Sequence, residues 1–168
     1  PESSFPESSL PERSQERKKA LFNGILIINH SLRAKNISFY DYPKNTSPFL
    51  KSFLRRNSDS IIKFESAFSN TTDSTVSFAS ILSGWKTTDN HQKLGDSKMI
   101  YEKISESHNV HSSLVSSQSL QQEGLYNFLK KSTLNTIWDR ELAGIPRQNS
   151  NGCDDSITIK KSIQIIKK

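Results

Sequence analysis

The stretch Gly24-Ile25-Leu26-Ile27-Ile28-Asn29, followed by His30 and Ser31, contains the longest apolar run of the sequence and is the starting point for predicting the fold. Four consecutive apolar residues are typical of a strand that is buried on both faces of a parallel sheet. In an open parallel sheet, ligands bind beyond the carboxyl ends of the strands. The stretch therefore predicts a central strand, and it places His30 and Ser31 at a candidate site.

Helix signals follow at several points along the chain. Ser47 and Pro48 are the residue types favoured at the N-cap and at the first helical position. A helix starting there would carry Phe49, Leu50, Phe53 and Leu54 on its apolar face. Further helices are predicted over Val76–Leu82 with an end at Gly84, over Ser97–His108, around Leu125–Leu129 and after Asp154-Asp155.

Short apolar segments between these helices predict further strands. They are Ile61–Phe64, the segment around Leu114-Val115, and Asn135–Trp138. Strands that alternate with helices predict an α/β fold with a mostly parallel sheet flanked by helices. Because the sequence stops inside or just after the last predicted helix, we expect a further strand and therefore a sheet that is incomplete at the C-terminus.

The first 20 residues are low in complexity. Pro1-Glu2-Ser3-Ser4-Phe5 is followed by Pro6-Glu7-Ser8-Ser9-Leu10 and then by Pro11-Glu12-Arg13-Ser14. Proline at every fifth position prevents a continuous helix, and the Ser and Glu residues between the prolines provide little to bury. We therefore predict a linker over residues 1–20 and one partial domain over residues 21–168.

The bulk composition excludes several classes of protein. Lys and Arg exceed Asp and Glu by six, but they are scattered, and their clusters are pairs apart from one run of three at Arg17-Lys18-Lys19, so nucleic-acid binding is not predicted. A single cysteine, Cys153, excludes an internal disulfide and a cysteine-based zinc cluster. No stretch approaches the about 18 apolar residues of a membrane-spanning helix. The sequence contains no signal peptide and begins with Pro1, so we expect any targeting segment to precede it.

A second candidate site is the hydroxyl-rich segment Ser69–Thr75, which runs directly into a predicted helix. A nucleophilic hydroxyl at a helix N-terminus gains from the oriented N–H groups there, which stabilise negative charge. The same residue types are also ordinary helix caps. Taken by themselves, these residues favour capping.

Four segments carry a resemblance, in order along the chain. They are Ile27–Tyr42 with Asn45–Leu50, Ser74–Gly84, Leu114–Ser119, and Gly144-Ile145-Pro146 with Asn149–Asp155. They are similar to the opening motif, the nucleophile segment, an amide-bearing strand end and a later Gly-x-Asp-Asp segment of the phosphoethanolamine transferases. These enzymes belong to the sulfatase family, within the alkaline phosphatase superfamily. The resemblance implies an alkaline-phosphatase-like fold and the N-terminal part of the catalytic domain.

The resemblance also implies a reaction. Phosphoethanolamine would pass from a phospholipid donor to lipid A or a related glycan through a hydroxyl-bound intermediate, with zinc as cofactor. Ser74 stands at the nucleophile position, with Thr72 and Thr75 as alternates, and His30 and Ser74 stand at zinc-ligand positions. The implied location is the periplasmic face of the inner membrane.

Gln118 and Arg33 are the substrate-binding residues that the resemblance implies. Each has a structural alternative, since Gln118 could be a surface amide and Arg33 a salt-bridge partner. His30 could equally be a satisfied polar residue at a strand end.

Several departures from the family pattern bear on activity. His30 replaces the acidic metal ligand, and Ser74 stands at the position of the family's nucleophilic Thr. Lys35 and Asp41 also stand where the family favours Asp and Gly. The downstream Asp-His-Gly segment is absent from the sequence. A catalytic zinc site needs about three protein ligands, so we expect the isolated chain to be inactive.

Two alternative functions remain open. Hydrolysis of a sulfate ester is disfavoured, because sulfatases carry Cys/Ser-x-Pro-x-Arg and Ser74 is followed by Thr75-Val76-Ser77-Phe78. A non-catalytic remnant that retains an anion site at the start of the Ser74 helix is the other alternative.

Overall fold

The computed structural model describes residues 18–19, 23–69, 71–86, 88, 96–121, 125–129, 133–148 and 152–167. The α-helices are α1 Pro48–Arg56, α2 Ser74–Ser83, α3 Ile100–Ser107, α4 Leu125–Leu129 and α5 Asp155–Ile166. The strands are β1 Lys18–Lys19, β2 His108–Asn109, β3 Ser113–Ser116 and β4 Thr136–Asp139. The chain divides into a smaller unit, Phe22–Ser69, and a larger unit, Asn70–Lys168 with Pro1–Leu21.

Both strand pairs are parallel. β3 and β4 pair in the register Ser113↔Thr136 to Ser116↔Asp139, so the two strands end side by side. β1 and β2 form a second, two-residue parallel pair. Parallel strands need a long connection, which here contains α4 between β3 and β4. The α/β fold with a parallel sheet is confirmed.

The hydrophobic core of the larger unit joins α2 to the β3–β4 pair. Its buried members are Leu82, Met99, Leu120, Leu125 and Leu129, and Phe78, Leu114 and Ile137 pack against them. Leu129 is the most deeply buried of these, with 1% of its surface exposed. Truncating such a leucine to alanine typically costs about 2–5 kcal/mol, so this cluster is what fixes α2 on the sheet.

Helix α2 ends where the sequence predicts. Gly84 has a φ of 75°, a left-handed conformation that glycine adopts without a steric penalty. Its N–H donates to the Ser80 carbonyl at 2.8 Å and closes the last turn. The predicted helix over Val76–Leu82 with an end at Gly84 is confirmed.

The other elements of the larger unit also agree with the sequence pattern. Helices were expected around Leu125–Leu129, over Ser97–His108 and after Asp154-Asp155, and α4, α3 and α5 occupy these positions. Strands were expected around Leu114-Val115 and over Asn135–Trp138, and they are β3 and β4.

The smaller unit is built from α1 and short 3-10 turns at Ala34–Asn36, Ser38–Tyr40 and Ser58–Ser60. Helix α1 begins at Pro48 as predicted, with Ser47 in the N-cap position. The Ser47 hydroxyl does not bond to the helix amides, because it accepts the Phe39 N–H at 2.9 Å. It also shares a hydrogen bond with the Ser38 hydroxyl at 2.9 Å. Ser47 therefore ties α1 to the preceding turn.

Two predicted strands of the smaller unit are wrong. Residues 24–29 form no strand, and Ile25, Leu26 and Ile27 are each more than 60% exposed. Ile61–Phe64 is not a strand either, and Ile62 is 83% exposed. A strand needs a neighbour to accept its hydrogen bonds, and none of the described segments pairs with these two runs. The apolar composition of a segment does not determine whether a neighbouring strand is present to pair with it.

The predicted linker and domain limits stay predictions. Lys18–Lys19 form β1, and the rest of residues 1–20 lies outside the described residues. The sequence also predicts a surface loop over Thr87–Lys98, and most of that segment lies outside the described residues. In the portion of the chain that is described, no helix has the length and apolar character to cross a bilayer.

Candidate functional site

The start of helix α2 is organised by Asp73. Its Oδ1 accepts the Val76 N–H at 2.8 Å, and its own N–H donates to the Thr71 Oγ1 at 3.1 Å. Asp73 has extended backbone angles and is the N-cap. The capping interaction that the sequence left open for Ser74 is therefore made by Asp73.

Ser74 is the first helical residue and is half-buried. The N-terminus of a helix carries partial positive charge from its N–H groups, which lowers the cost of negative charge on a nearby oxygen. Thr75 is the second helical residue and is also half-buried, whereas Thr72 is exposed and precedes the cap. The geometry therefore places Ser74 and Thr75 inside the first turn and Thr72 outside it.

A second polar group lies at the carboxyl ends of β3 and β4, which we call the β3–β4 edge (Ser116–Leu120 and Asp139–Leu142). Asp139 is completely buried. Its Oδ2 accepts the Leu120 N–H at 2.9 Å and its Oδ1 accepts the Leu142 N–H at 2.6 Å. This carboxylate joins the two segments that leave the sheet and fixes their separation.

Ser119 and Arg140 are the other buried polar side chains of the β3–β4 edge. The Ser119 hydroxyl donates to the Glu141 carboxylate. The Arg140 Nη1 donates to the Ile145 carbonyl at 3.0 Å, while its buried Nε has no hydrogen-bond partner among the residues that the structure describes.

Gln118 is held at this edge through its main chain. It pairs with Gly152 in an antiparallel bridge, and its N–H donates to the Ser116 Oγ at 3.1 Å. The neighbouring Ser117 carbonyl accepts the Cys153 N–H at 2.9 Å. The half-buried Gln118 amide forms no hydrogen bond with the described part of the chain. The backbone of Gln118 is therefore fixed at the β3–β4 edge.

His30 and Arg33 belong to the smaller unit. His30 is exposed, and its Nδ1 lies 2.9 Å from the Ser31 Oγ. Ser31 has a φ of 59°, so the chain turns in a left-handed conformation directly after His30. Arg33 is exposed, and its carbonyl accepts the Asn36 N–H at 2.9 Å.

The six predicted site residues are thus divided between two units. Ser74, its alternates Thr72 and Thr75, and Gln118 lie in the larger unit, and His30 and Arg33 lie in the smaller one. The predicted approach of His30 to Ser74 stays a prediction.

A comparison with known families decides the relationship. The model of the sulfatase family matches residues 23–168, which is most of the chain. The chain belongs to the sulfatase family. No curated protein and no solved structure matches it. The match is to the family as a whole, so it does not separate phosphoethanolamine transfer from sulfate ester hydrolysis.

Zinc, which the resemblance implies for this sulfatase-family chain, is not accommodated by the described residues. Catalytic zinc is held by about three His, Cys, Asp or Glu side chains. Among the ranges given above, no group of three such side chains is arranged to hold a metal ion. Asp73, which precedes Ser74, and Asp139 of the β3–β4 edge both accept backbone N–H groups.

The sequence interpretation missed Asp73 as the cap and Asp139 as the centre of the β3–β4 edge. A signal for Asp139 was present, because it directly follows the predicted strand Asn135–Trp138 and strand ends carry polar site residues in parallel sheets. Nothing in the sequence marked Ser119 or Arg140, whose burial depends on segments that are distant along the chain.

Proposed function

We propose that this sulfatase-family chain carries the nucleophile half of a phosphoethanolamine transferase, with Ser74 as the nucleophile. The observation that carries the proposal is the arrangement at the start of α2. Asp73 caps the helix, and Ser74 is the first residue of its first turn. The similarity of Ser74–Gly84 to the nucleophile segment of these transferases supports the same assignment.

The proposed chemical step is displacement at phosphorus. The Ser74 Oγ attacks the phosphodiester of a phosphatidylethanolamine donor, a bond from Oγ to phosphorus forms, and the bond to diacylglycerol breaks. The Oγ proton is lost to water or a base, and the departing diacylglycerol oxygen gains a proton. The helix N-terminus favours the charge that develops on the attacking oxygen and on the phosphoryl group.

The second step transfers the group to an acceptor. A hydroxyl or phosphate oxygen of lipid A or a related glycan attacks the phosphoethanolamine on Ser74 and restores the serine. Gln118, whose backbone is fixed at the β3–β4 edge, is the proposed hydrogen-bonding residue for the substrate. We place the reaction at the periplasmic face of the inner membrane, with Arg33 as a contact for anionic groups.

Hydrolysis of a sulfate ester is a second candidate because the family match is to sulfatases in general. The same serine and helix N-terminus would serve it, since sulfate and phosphate esters place negative charge on similar oxygens. The absence of Pro and Arg in Ser74-Thr75-Val76-Ser77-Phe78 argues against it. A non-catalytic remnant is the third candidate.

The experiment follows the first half of the reaction. The chain is incubated with phosphatidylethanolamine vesicles, and the mass of the peptide that contains Ser74 is measured. We expect a phosphoethanolamine adduct on Ser74 and no continuous turnover, because the sequence lacks the family's Asp-His-Gly segment. The same preparation is incubated with 4-nitrophenyl sulfate to measure sulfate ester hydrolysis.

Three variants assign the result. Ser74→Ala removes the proposed nucleophile, Thr75→Ala removes the alternate in the same turn, and Ser77→Ala is a matched serine control one turn further along α2. We expect the adduct to be lost only in Ser74→Ala. Nitrophenol release that depends on Ser74 would favour the sulfatase candidate, and the absence of both reactions would favour the remnant.

A further inference from the structure

Helix α1 exposes an aromatic pair to solvent. The Phe49 and Phe53 rings are stacked with centroids 6.0 Å apart and planes inclined by 19°. Phe49 is 69% exposed, and Phe53 and Leu50 are each more than 40% exposed. Burying an exposed phenylalanine side chain would contribute about 1.5–3 kcal/mol. Three exposed apolar side chains on one short helix therefore indicate that this face binds an apolar surface.

The charged residues of α1 are all cationic. They are Lys51, Arg55 and Arg56, all exposed, and the helix sequence contains no acidic residue. At about 100° of rotation per residue, Lys51 and Arg55 lie opposite the apolar face, and Arg56 lies at its border beside Phe49. The helix is therefore apolar on one side and positively charged on the other.

The surrounding unit has the same charge bias. Residues 22–69 contain seven Lys and Arg and three Asp and Glu. This segment thus supplies four of the six excess positive charges of the chain. The rest of the chain is close to neutral, which makes the unit containing α1 the part that an anionic surface attracts.

We propose that α1 docks on the surface of an anionic lipid bilayer. Phe49, Leu50 and Phe53 enter the boundary between head groups and acyl chains, and Lys51, Arg55 and Arg56 contact the anionic head groups. A bilayer surface can bury the apolar face of the helix and also contact its cations. A nucleic acid would pair with the cations and leave the apolar face in water. The Phe49 and Phe53 rings stack on each other, which leaves no slot between them for a base.

The inference rests on α1 alone and not on the transferase chemistry. The experiment measures co-sedimentation of the full chain with vesicles of phosphatidylcholine and with vesicles of equal parts phosphatidylcholine and phosphatidylglycerol. We expect binding to the anionic vesicles and at least about tenfold weaker binding to the neutral ones. Raising the salt concentration should reduce the difference, because salt screens exposed charges.

Two pairs of variants separate the apolar and the charged contributions. The double variant Phe49→Ser/Phe53→Ser should weaken binding by about tenfold or more, whereas Phe68→Ser, at a 91% exposed position outside α1, should not. The double variant Arg55→Gln/Arg56→Gln should weaken binding by about 30-fold, since each cation near an anionic surface contributes about fivefold. Lys35→Gln is its exposed control.

Circular dichroism checks that each variant keeps its helix content, which we expect because the substituted side chains are exposed. Three results would overturn the proposal. They are the absence of vesicle binding, equal binding by the Phe49→Ser/Phe53→Ser and Phe68→Ser variants, and tighter binding to a single-stranded oligonucleotide than to anionic vesicles. None of these results depends on an adduct at Ser74, so the two proposals fail separately.

Discussion

Asp73 caps α2, so Ser74 is not needed as the N-cap and can be the proposed nucleophile. Its carboxylate takes the Val76 N–H, and the adjacent Ser74 becomes the first residue of the helix. Removing an N-cap side chain costs about 1 kcal/mol. The same loss should also loosen the first turn, where the proposed nucleophile lies.

Substitution at Asp73 tests this role. We expect Asp73→Ala to lower the free energy of unfolding by about 1 kcal/mol and Asp73→Asn to lower it by less, because an amide oxygen can still cap. Urea unfolding measures both values. Asp59→Ala, at an exposed acidic residue in a 3-10 turn, is the control and should stay within about 0.5 kcal/mol. Equal effects of the Asp73 and Asp59 variants would contradict the capping assignment.

Asp139 has a larger structural role, because it accepts two backbone N–H groups while completely buried. We expect Asp139→Ala to leave the Leu120 and Leu142 N–H groups without this acceptor and to destabilise the chain by about 2–4 kcal/mol. Asp139→Asn keeps one acceptor oxygen and should cost less. Denaturant unfolding distinguishes the two, and an alanine variant as stable as the parent would show that Asp139 does not hold the edge.

At the scale of elements, α5 begins with a cap of the same kind as α2. The Asp154 Oδ1 accepts the Ser156 N–H at 2.7 Å, and this backbone hydrogen bond holds the pKa of Asp154 below its ordinary value of 3.8. The Ser156 side chain and Lys160 act in the same direction. A carboxyl whose pKa is lower in the folded state stabilises the fold when it is ionised.

The sign of this shift predicts how α5 responds to acid. The stabilisation is fully present above the unfolded pKa, near 3.8, and is lost as the pH falls through the lower folded pKa. In an NMR titration, the Ser156 amide should therefore shift with a midpoint below 3.8. Asp154→Asn should abolish that transition, and Asp155→Asn, one residue further on, should preserve it. A midpoint above the ordinary value would contradict the interpretation.

The elements that the sequence predicted well depend on neighbouring residues. Asp73, Gly84 and Asp154 set helix ends through hydrogen bonds to residues within four positions. The β3 and β4 strands were also predicted, although their pairing was not. In contrast, Ile25–Ile28 and Ile61–Phe64 have strand composition without a strand. Their hydrogen-bond partners would have to come from elsewhere in the chain, and composition does not encode those partners.

At the scale of the whole molecule, burial is uneven between the two units. The larger unit contains the cluster of Leu82, Met99, Leu120, Leu125 and Leu129. In the described part of the smaller unit, Ile37 and Ser38 are the buried residues. Regions with few buried apolar contacts open more readily than cores do.

Amide hydrogen-exchange rates should therefore differ between the two units. We expect the amides of α1 to exchange at least about tenfold faster than the central amides of α2, because α2 packs on the core and α1 exposes its apolar face. Exchange monitored by NMR or mass spectrometry measures both helices in one experiment. Leu129→Ala should accelerate exchange in α2 and leave α1 unchanged, and an equal response of the two helices would contradict two separate units.

The candidate site shows the same limit as the fold. Sequence similarity assigned Ser74 and Gln118 to site positions. Ser74 lies in the first turn of α2 and Gln118 lies two residues after the end of β3, and their roles stay predictions. The third position, His30, depended on the strand at residues 24–29 that is not formed. A residue can be assigned to the end of a strand only where that strand is formed.

The sequence by itself determined the sulfatase-like segment order, the α/β alternation, the end of α2 at Gly84 and the start of α5, because these follow from composition, spacing and local hydrogen bonds. Only the tertiary structure decided that Asp139 joins the segments that follow β3 and β4 from complete burial, and that α1 leaves Phe49 exposed. The physical reason is that burial and strand pairing are contacts between segments that are distant along the chain. Their stabilising free energy depends on both segments, so neither segment alone predicts it.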